Sequence, residues 1–290
     1  SCVSCGLCLP HCPTYRVTQE ESASPRGRIA LMKHAADTGF IDEEFVEFMD
    51  ACIQCRGCET ACPAGVEFGS MMETTREALA TQTSYQRWWR RVGYRTLGWP
   101  NFLAFGSRVL SVLQLVRVLP KKLGLPQIPL VQRKLLSSGN DVFLFTGCIM
   151  DAWMRETHRA VQRVVEATGN GVQFPSKAAA CCGALHVHAG LGDEARRLAQ
   201  RTMAAFPGEA PILVDSAGCG AQLKSYGHLL ETKEAKQFAE RVLDVHEWLA
   251  DHINELPQKP EKSGRVAVQD PCHLRHVQKS HQSVYEVLGR

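Results

Sequence analysis

The sequence predicts an α+β multidomain chain, in which a mainly helical, cysteine-rich N-terminal domain precedes an α/β domain built on a parallel sheet. Three observations lead to this prediction. Eight of the 13 cysteines lie in residues 2–62, and the charge changes sharply along the chain. After residue 140, short apolar runs alternate with helical stretches, which is typical of parallel sheets. A length of 290 residues fits about two domains.

The composition is that of an ordinary folded protein, with 44% hydrophobic and 22% charged residues. It excludes collagen, a long coiled coil and general disorder. An odd number of cysteines in a chain of this size argues against a disulfide scaffold. We see no cleavable signal peptide and no long uncharged apolar run. We therefore expect a reducing, cytoplasmic compartment in which the thiols hold metal.

The charge pattern divides the chain into segments. Residues 1–80 carry a net charge of −6, residues 81–140 carry ten basic and no acidic residues, and residues 141–290 carry −1. We expect one domain over 1–80 and a basic amphipathic linker or docking segment over 81–140. An α/β domain over 141–256 follows, and then the start of a second such domain over 257–290. A localised basic segment implies an anionic partner surface.

The N-terminal cysteines follow the spacing C-x2-C-x2-C-x3-C-P twice, over residues 2–13 and 52–63. Three closely spaced thiolates wrap one four-iron cluster, and the fourth cysteine of each run ligates the other cluster. Zinc is the alternative, but its sites favour separate cysteine pairs rather than runs of four. We predict two [4Fe–4S] clusters in a ferredoxin-type domain, one held by Cys2, Cys5, Cys8 and Cys62, the other by Cys12, Cys52, Cys55 and Cys58.

The rest of this domain is predicted to be helical. Pro25 suits the first turn of a helix, with Ser24 as its N-cap. Further helices are expected over 43–52 and 69–80. Two interpretations of Arg26 and Arg28 stay open: hydrogen bonds to the cluster loops that tune the potential, or surface ion pairs with nearby acidic residues.

The basic segment mixes aromatic residues with arginine and continues into the apolar run 102–119. Three interpretations remain open. It is a helical linker packed on its own domains, a docking site for a partner subunit, or a contact with an anionic membrane surface. Single-stranded nucleic acid is disfavoured beside the cluster motifs. The residues concerned are Tyr85, Arg87, Trp88, Trp89, Arg90, Arg91, Tyr94, Arg95 and Trp99.

The α/β part is predicted to have strands over 141–145, 172–174 and 211–214, and helices over 153–168, 193–205 and 233–251. Cys148 and Cys219 follow the ends of two of these strands, where open α/β sheets place their sites. The adjacent pair Cys181 and Cys182 completes a set of four candidate ligands. A further iron–sulfur cluster, a redox-active thiol pair and a structural site all remain open. His186 and His188 are expected to be satisfied histidines.

Residues 265–272 repeat the layout of residues 141–148, including a cysteine at the end, Cys272. We expect this repeat to begin a second unit of the same kind, with Cys272 as a ligand without its partners. A complete unit needs roughly another hundred residues, by the spacing of the first. The native chain is therefore expected to be longer than the printed sequence.

Residues 24–33, 181–184 and 216–229 give the sequence a family resemblance. They read SPRGRIALMK, CCGA and SAGCGAQLKSYGHL. Together with the two cysteine runs, they resemble the iron–sulfur subunit of glycolate oxidase. More distant similarities are to D-type heterodisulfide reductases, the iron–sulfur subunit of anaerobic glycerol-3-phosphate dehydrogenase and lactate-utilisation iron–sulfur proteins. The α/β part would then be a Cys-Cys-Gly domain.

The resemblance implies an electron-transfer subunit of a flavin-dependent 2-hydroxy-acid oxidase, with glycolate as the expected substrate. A partner subunit containing FAD would oxidise glycolate to glyoxylate. This chain would pass single electrons through its clusters to a respiratory acceptor, at the cytoplasmic face of the membrane. We find no nucleotide-binding fingerprint, so we expect the flavin on the partner.

One position departs from the heterodisulfide reductases. Their Cys-Cys-Gly domains end in C-x-x-C, and here Ser216 stands where the first of those cysteines is expected. A fifth thiolate is therefore missing, which favours electron relay over disulfide cleavage. The alternative functions are a thiol/disulfide reductase with chemistry at Cys181 and Cys182, and an interaction module with structural metal.

Overall fold

The computed structural model describes residues 2–82, 88–120, 123–176, 179, 181–257 and 264–290. It has the expected α+β architecture, with a helical N-terminal domain followed by an α/β domain. The helices of the N-terminal domain pack around a small core that contains Met49, Met72 and Leu79. They are α1 (Pro13–Thr18), α2 (Pro25–Thr38), α3 (Glu43–Ala51), α4 (Gly57–Thr60) and α5 (Phe68–Gln82).

Helix α2 begins as the sequence predicts. The Ser24 hydroxyl accepts a hydrogen bond from the Gly27 backbone N–H at 3.0 Å, and Pro25 occupies the first turn. Gly27 is needed here because a Cβ at this position would lie 1.9 Å from the Glu21 carbonyl oxygen. The tight approach holds the start of α2 against the chain that precedes it.

The basic segment forms α6 (Trp88–Leu97) and α7 (Pro100–Leu115). Both helices contact the flanking domains, as the linker interpretation expects. Arg95 pairs with Glu194 at 3.2 Å, and the Trp153 indole N–H donates to Ser107 Oγ at 2.9 Å. Tyr85 and Arg87 lie outside the described residues. The outer faces of both helices remain exposed, so linker packing does not account for the whole segment.

The α/β domain contains a parallel sheet of order β2–β1–β3–β4. Leu144 lies opposite Leu213, and Leu213 opposite Leu243. The strands are nearly continuous apolar runs because helices cover both faces of the sheet. The strands are β1 (Val142–Phe145), β2 (Val172–Gln173), β3 (Ile212–Val214) and β4 (Val242–Asp244).

The helices of this domain are short, and several lie in pairs along the chain. The predicted helix over 153–168 is present as α9, and that over 193–205 as α11. They are α8 (Ile149–Trp153), α9 (Arg155–Ala167), α10 (Ala184–His188), α11 (Gly192–Ala204), α12 (Ala217–Lys224), α13 (Tyr226–Leu230), α14 (Lys233–Glu240), α15 (Val245–Asp251) and α16 (Gln282–Gly289).

The prediction of one helix over 233–251 is wrong. The edge strand β4 interrupts it, and α15 begins directly after that strand with a capping box. The Asp244 carboxylate accepts from the His246 N–H at 2.9 Å, and the Glu247 carboxylate accepts from the Asp244 N–H at 2.6 Å. The spacing of Asp244 and Glu247 is a capping signal that the sequence reading missed.

The second unit expected from residue 265 does not begin with a strand. Residues 264–271 have no regular structure, and Val266 is 75% exposed. A strand needs a neighbour for its backbone hydrogen bonds, and the described sheet ends at β2 and β4. In place of a helix like α8, a π-helix (His273–Gln278) follows Cys272.

Within the described ranges, no helix is both long and apolar enough to cross a membrane.

Arg76 on α5 joins the two domains. Its guanidinium is buried and, within the described ranges, its hydrogen bonds all go to backbone carbonyls. On the N-terminal side, Nη2 reaches the carbonyl oxygens of Met49 at 2.6 Å and Cys52 at 2.7 Å. On the α/β side, Nη1 reaches the carbonyl of His188 at 2.8 Å. Gly190 permits this approach, because a Cβ there would lie 2.2 Å from the Arg76 carbonyl oxygen.

Replacing Arg76 should therefore destabilise the protein strongly. Arg76→Leu leaves several buried carbonyls unsatisfied and should lower the free energy of unfolding by about 3 kcal/mol, as measured by urea denaturation. Arg196→Leu is the matched control, because Arg196 also joins α5 to this domain through Glu77 at 2.7 Å but is half-exposed. The control should cost less than about 1 kcal/mol. Equal effects of the two variants would contradict this role of Arg76.

Candidate iron–sulfur sites

The two cysteine runs have the same backbone conformation. Ser4 and Gln54 both precede the second cysteine of their run, with φ of 56° and 53°. Gly6 and Arg56 follow that cysteine, with φ of 84° and 57°. Left-handed backbone costs a non-glycine residue about 1–2 kcal/mol, so the surroundings must hold it in place. The matching conformations indicate that the two loops are shaped for the same kind of ligand.

The second site has all four of its predicted ligands around one pocket. The side chains of Arg28 and Gln54 also line this pocket, together with Cys12, Cys52, Cys55 and Cys58. Burial raises the pKa of Cys58 far above its usual range, and nearby Cys55, Cys52 and Cys12 raise it further. Both polar atoms of the Gln54 side chain are buried without a partner among the described residues. Four thiols and orphaned donors around one pocket fit a sulfur-rich, anionic group such as a [4Fe–4S] cluster.

Arg28 brings a positive charge to this second site. It is 1% exposed, and its Nε donates to the Phe48 carbonyl at 2.7 Å. Its Nη1 donates to Thr14 Oγ1 at 3.0 Å, to the Ala23 carbonyl, and to Cys12 Sγ at 4.0 Å. The geometry thus places Arg28 in the hydrogen-bonding role that the sequence left open. A cation and a donor beside a ligand sulfur favour the more negative, reduced state of a bound cluster.

Arg26 takes part in both arrangements considered for it. Its Nη1 donates to the Ser4 carbonyl in the first cysteine loop at 3.0 Å. Its Nε forms an ion pair with Glu21 at 2.5 Å. Arg26 therefore supports the first loop at the protein surface.

The first site is more exposed than the second. Cys8 lies near Cys2 and Cys5, which both raise its pKa, although burial is the larger cause. Cys62 follows α4 and is half-buried. No contact among the described residues joins Cys62 to the other three, so its place in the first cluster stays a prediction.

The Cys-Cys-Gly cysteines converge as two hydrogen-bonded thiol pairs. Cys182 Sγ lies 3.2 Å from Cys219 Sγ. A hydrogen bond with Cys181 lowers the pKa of Cys148 to about 7, and the same bond and burial raise the pKa of Cys181. The charge of Cys219 also acts on Cys181, so the two pairs are neighbours. The structure thus brings together all four cysteines that the sequence singled out in this domain.

The backbone of the Cys-Cys-Gly turn is fixed by two buried hydroxyl groups. Thr202 Oγ1 donates to the Cys181 carbonyl at 3.2 Å, and the Tyr226 hydroxyl donates to the Cys182 carbonyl at 2.9 Å. Gly183 follows with φ of 84°, a conformation that glycine adopts without strain. These contacts hold both thiols toward Cys148 and Cys219.

The sequence reading missed a buried pair beside this site. His158 Nδ1 lies 2.5 Å from the carboxylate of Asp215, which directly follows β3, and both side chains are buried. Asp215 precedes Ser216, the position where the fifth cysteine is absent. Histidine and aspartate 57 residues apart in sequence gave no motif, so only the fold reveals them as partners.

Across the described part of the chain, no three His, Cys, Asp or Glu side chains come close enough to hold a single metal ion. A four-iron cluster spreads its thiolates over the corners of a cube, so this finding bears on single-ion sites only.

Two protein families match the two domains. The family described as a 4Fe-4S dicluster domain matches residues 1–66, and the Cysteine-rich domain family matches residues 142–224. The first match supports two [4Fe–4S] clusters as the cofactors of the N-terminal domain. The second covers Cys148, Cys181, Cys182 and Cys219 and makes a further cluster in the α/β domain a reasonable expectation.

Curated relatives match nearly the whole chain. The "Probable glycolate oxidase iron-sulfur subunit" of Bacillus subtilis is 33% identical over 96% of this chain and 71% of its own length. The "Glycolate oxidase iron-sulfur subunit" of Escherichia coli is 30% identical over 100% of this chain and 74% of its own. A D-type heterodisulfide reductase from Methanosarcina mazei is 26% identical over 96% of this chain and 69% of its own.

No solved structure matches this chain significantly. The recurring cysteine loops, the four cysteines gathered in the α/β domain and the similarity over nearly the full chain agree with one another. The chain belongs to the family of glycolate oxidase iron–sulfur subunits.

Proposed function

We propose that this chain is the electron-transfer subunit of a flavin-dependent 2-hydroxy-acid oxidase, with glycolate as the substrate of a partner subunit. The partner carries FAD and oxidises the 2-hydroxy acid. This chain accepts single electrons from the reduced flavin and delivers them to a respiratory acceptor. Its unpaired cysteines fit a reducing compartment, so we place the complex at the cytoplasmic face of the membrane.

The observation that carries the proposal is the pair of matching cysteine loops within one helical domain. A reduced flavin holds two electrons, and two adjacent one-electron sites accept them in turn. Bound clusters supply this one-electron chemistry through Cys2, Cys5, Cys8, Cys62 and through Cys12, Cys52, Cys55, Cys58. The relatives named as glycolate oxidase iron–sulfur subunits lend support, since they match both domains of the chain.

The protein side chains control the environment of the second site. Arg28 places its charge beside Cys12, and Phe68 and the helix α4 shield the pocket from water. Arg76 fixes the Cys52 carbonyl and with it the start of the second loop. These residues hold the ligands in place before and after electron transfer, which keeps reorganisation small.

Anaerobic purification of the native complex tests the proposal. We expect a flavoprotein to co-purify, at least about eight irons per chain, and electron paramagnetic resonance signals of two interacting reduced clusters. Absence of any associated flavoprotein would contradict the proposed function. Zinc in place of iron would contradict the cluster assignment as well.

Single-cysteine variants test the crossed ligation. Cys12→Ala should disturb the signal of the cluster held by Cys52, Cys55 and Cys58, because the fourth cysteine of the first run ligates the second cluster. Cys62→Ala should disturb the other signal. Electron paramagnetic resonance of the dithionite-reduced variants distinguishes the two. If Cys12→Ala affected only the cluster of Cys2, Cys5 and Cys8, the crossed assignment would be wrong.

A thiol/disulfide reductase is the second candidate, favoured by the two thiol pairs of the Cys-Cys-Gly site and by the lowered pKa of Cys148. A D-type heterodisulfide reductase is among the relatives. Turnover of a disulfide substrate with an artificial electron donor, lost in Cys182→Ala, would favour this function. The serine at position 216 argues for relay instead, because it removes the fifth thiolate that the resemblance associates with disulfide cleavage.

The exposed face of α6 and α7 is proposed as a docking surface for an anionic partner. Trp88 is 78% and Phe105 64% exposed, and Arg108 and Arg117 are exposed on the same segment. By contrast, Arg90 pairs with Asp50 and Arg91 donates to the Ala80 carbonyl, so these two arginines also serve the internal structure. Basic residues beside exposed aromatic ones suit a membrane interface.

Neutralising exposed arginines tests this surface. The double variant Arg108→Gln/Arg117→Gln should weaken binding to phosphatidylglycerol vesicles, by about 1 kcal/mol per charge, in a co-sedimentation assay. Arg163→Gln, a charge removed from α9 in the α/β domain, is the control. Weakened association with the flavoprotein instead would identify the partner subunit as the occupant. Unchanged binding to both at low salt would leave only the linker role.

A further inference from the structure

The π-helix His273–Gln278 lies between the second cluster site and the Cys-Cys-Gly site. On one side, His276 Nδ1 lies 2.9 Å from Thr60 Oγ1 on α4. On the other side, the Gln278 amide donates to the Ala217 carbonyl at the start of α12 at 3.0 Å. π-Helices are rare and occur frequently at functional sites. This one closes the space between the two groups of cysteines.

His273 contacts the immediate neighbours of a ligand on each side. Its imidazole hydrogen-bonds to the backbone of Gln54, which precedes Cys55. Its Nδ1 lies 3.8 Å from where a Cβ on Gly218 would stand, and Gly218 precedes Cys219. One side chain therefore spans from the residue next to Cys55 to the residue next to Cys219. The charge of Cys272, next in sequence to His273, also acts on Cys55.

A second imidazole holds His273 in place. The rings of His188 and His273 stack, with centroids 5.6 Å apart and planes inclined by 26°. The backbone carbonyl of His188 accepts from Arg76, so the stack is anchored at the junction of the domains. The stacked pair is held between the two sites by α5, α10 and the π-helix, and neither ring is exposed.

We propose that His273, supported by His188, is the bridge for electron exchange between the group bound by Cys12, Cys52, Cys55 and Cys58 and the group bound by the Cys-Cys-Gly cysteines. One electron leaves one site and reduces the other, and His273 makes and breaks no covalent bond. The hydrogen bond to Gln54 and the close approach to Gly218 give the shortest described connection between the two loops. His273 is thus a positioning residue for electron transfer.

This inference rests on the proposed relay function and adds the Cys-Cys-Gly site to the relay. His273→Phe keeps a stacking ring of similar size but loses the hydrogen bond to Gln54. In the holoprotein, freeze-quench electron paramagnetic resonance after a pulse of photogenerated reductant measures the exchange rate between the sites. We expect a rate about tenfold lower, the smaller of the usual effects of losing an outer-shell partner at a metal centre. The spectra and iron content should stay unchanged.

His276→Phe is the matched control, because His276 lies on the same π-helix and contacts Thr60 and Gly57 of the N-terminal domain. Its exchange rate should equal that of the unaltered protein. Equal rates in His273→Phe and His276→Phe would overturn the bridge. An iron count of about eight without a third signal would also overturn it, while leaving the two-cluster relay intact. Failure of the relay itself would appear separately, as clusters that the reduced flavoprotein cannot reduce.

Discussion

The buried guanidinium of Arg76 is the interaction on which the arrangement of the whole chain depends. It collects carbonyl groups at the end of α3, at Cys52 and at His188, and so it fixes one cluster loop and one Cys-Cys-Gly helix together. Because these acceptors are neutral dipoles, they do not cancel the positive charge as a carboxylate would. The charge remains available to stabilise electrons at the neighbouring thiolate site.

The same principle recurs around the second site. Arg28 satisfies carbonyls of two segments and still reaches Cys12, so one cation both builds the pocket and sets its electrostatics. The loops themselves hold left-handed residues such as Gln54 and Arg56, which ordinary packing does not favour. The apolar core of this domain is small. We therefore regard the metal–thiolate bonds as the main source of its stability, with the arginines as their supports.

The sequence was informative where spacing alone determines geometry. The two cysteine runs, the start of α2 at Pro25 and the strands that lead to Cys148 and Cys219 were all predictable from local pattern. The strand β4 was not, because a three-residue edge strand between two helices has little periodicity of its own. Nor could the reading of residues 265–272 as a strand hold, since a repeated pattern does not supply a partner strand.

The contacts between the domains were beyond sequence reasoning for a different reason. Arg76, His158, His188 and His273 carry no motif, and each gains its role only from residues far away in the chain. Arg76 contacts a carbonyl 112 residues later, and His158 pairs with a carboxylate 57 residues later. Buried polar groups of this kind must find partners somewhere, but the sequence does not say where. The fold is needed to identify them.

The central claim is that this chain carries electrons and that the 2-hydroxy acid is oxidised elsewhere. It is tested most directly by adding glycolate anaerobically to the isolated chain and to its complex with the flavoprotein, and recording electron paramagnetic resonance spectra of both. The account predicts reduced-cluster signals in the complex and none in the isolated chain. Reduction of the isolated chain by glycolate, or a complex whose clusters stay oxidised while glyoxylate forms, would contradict it.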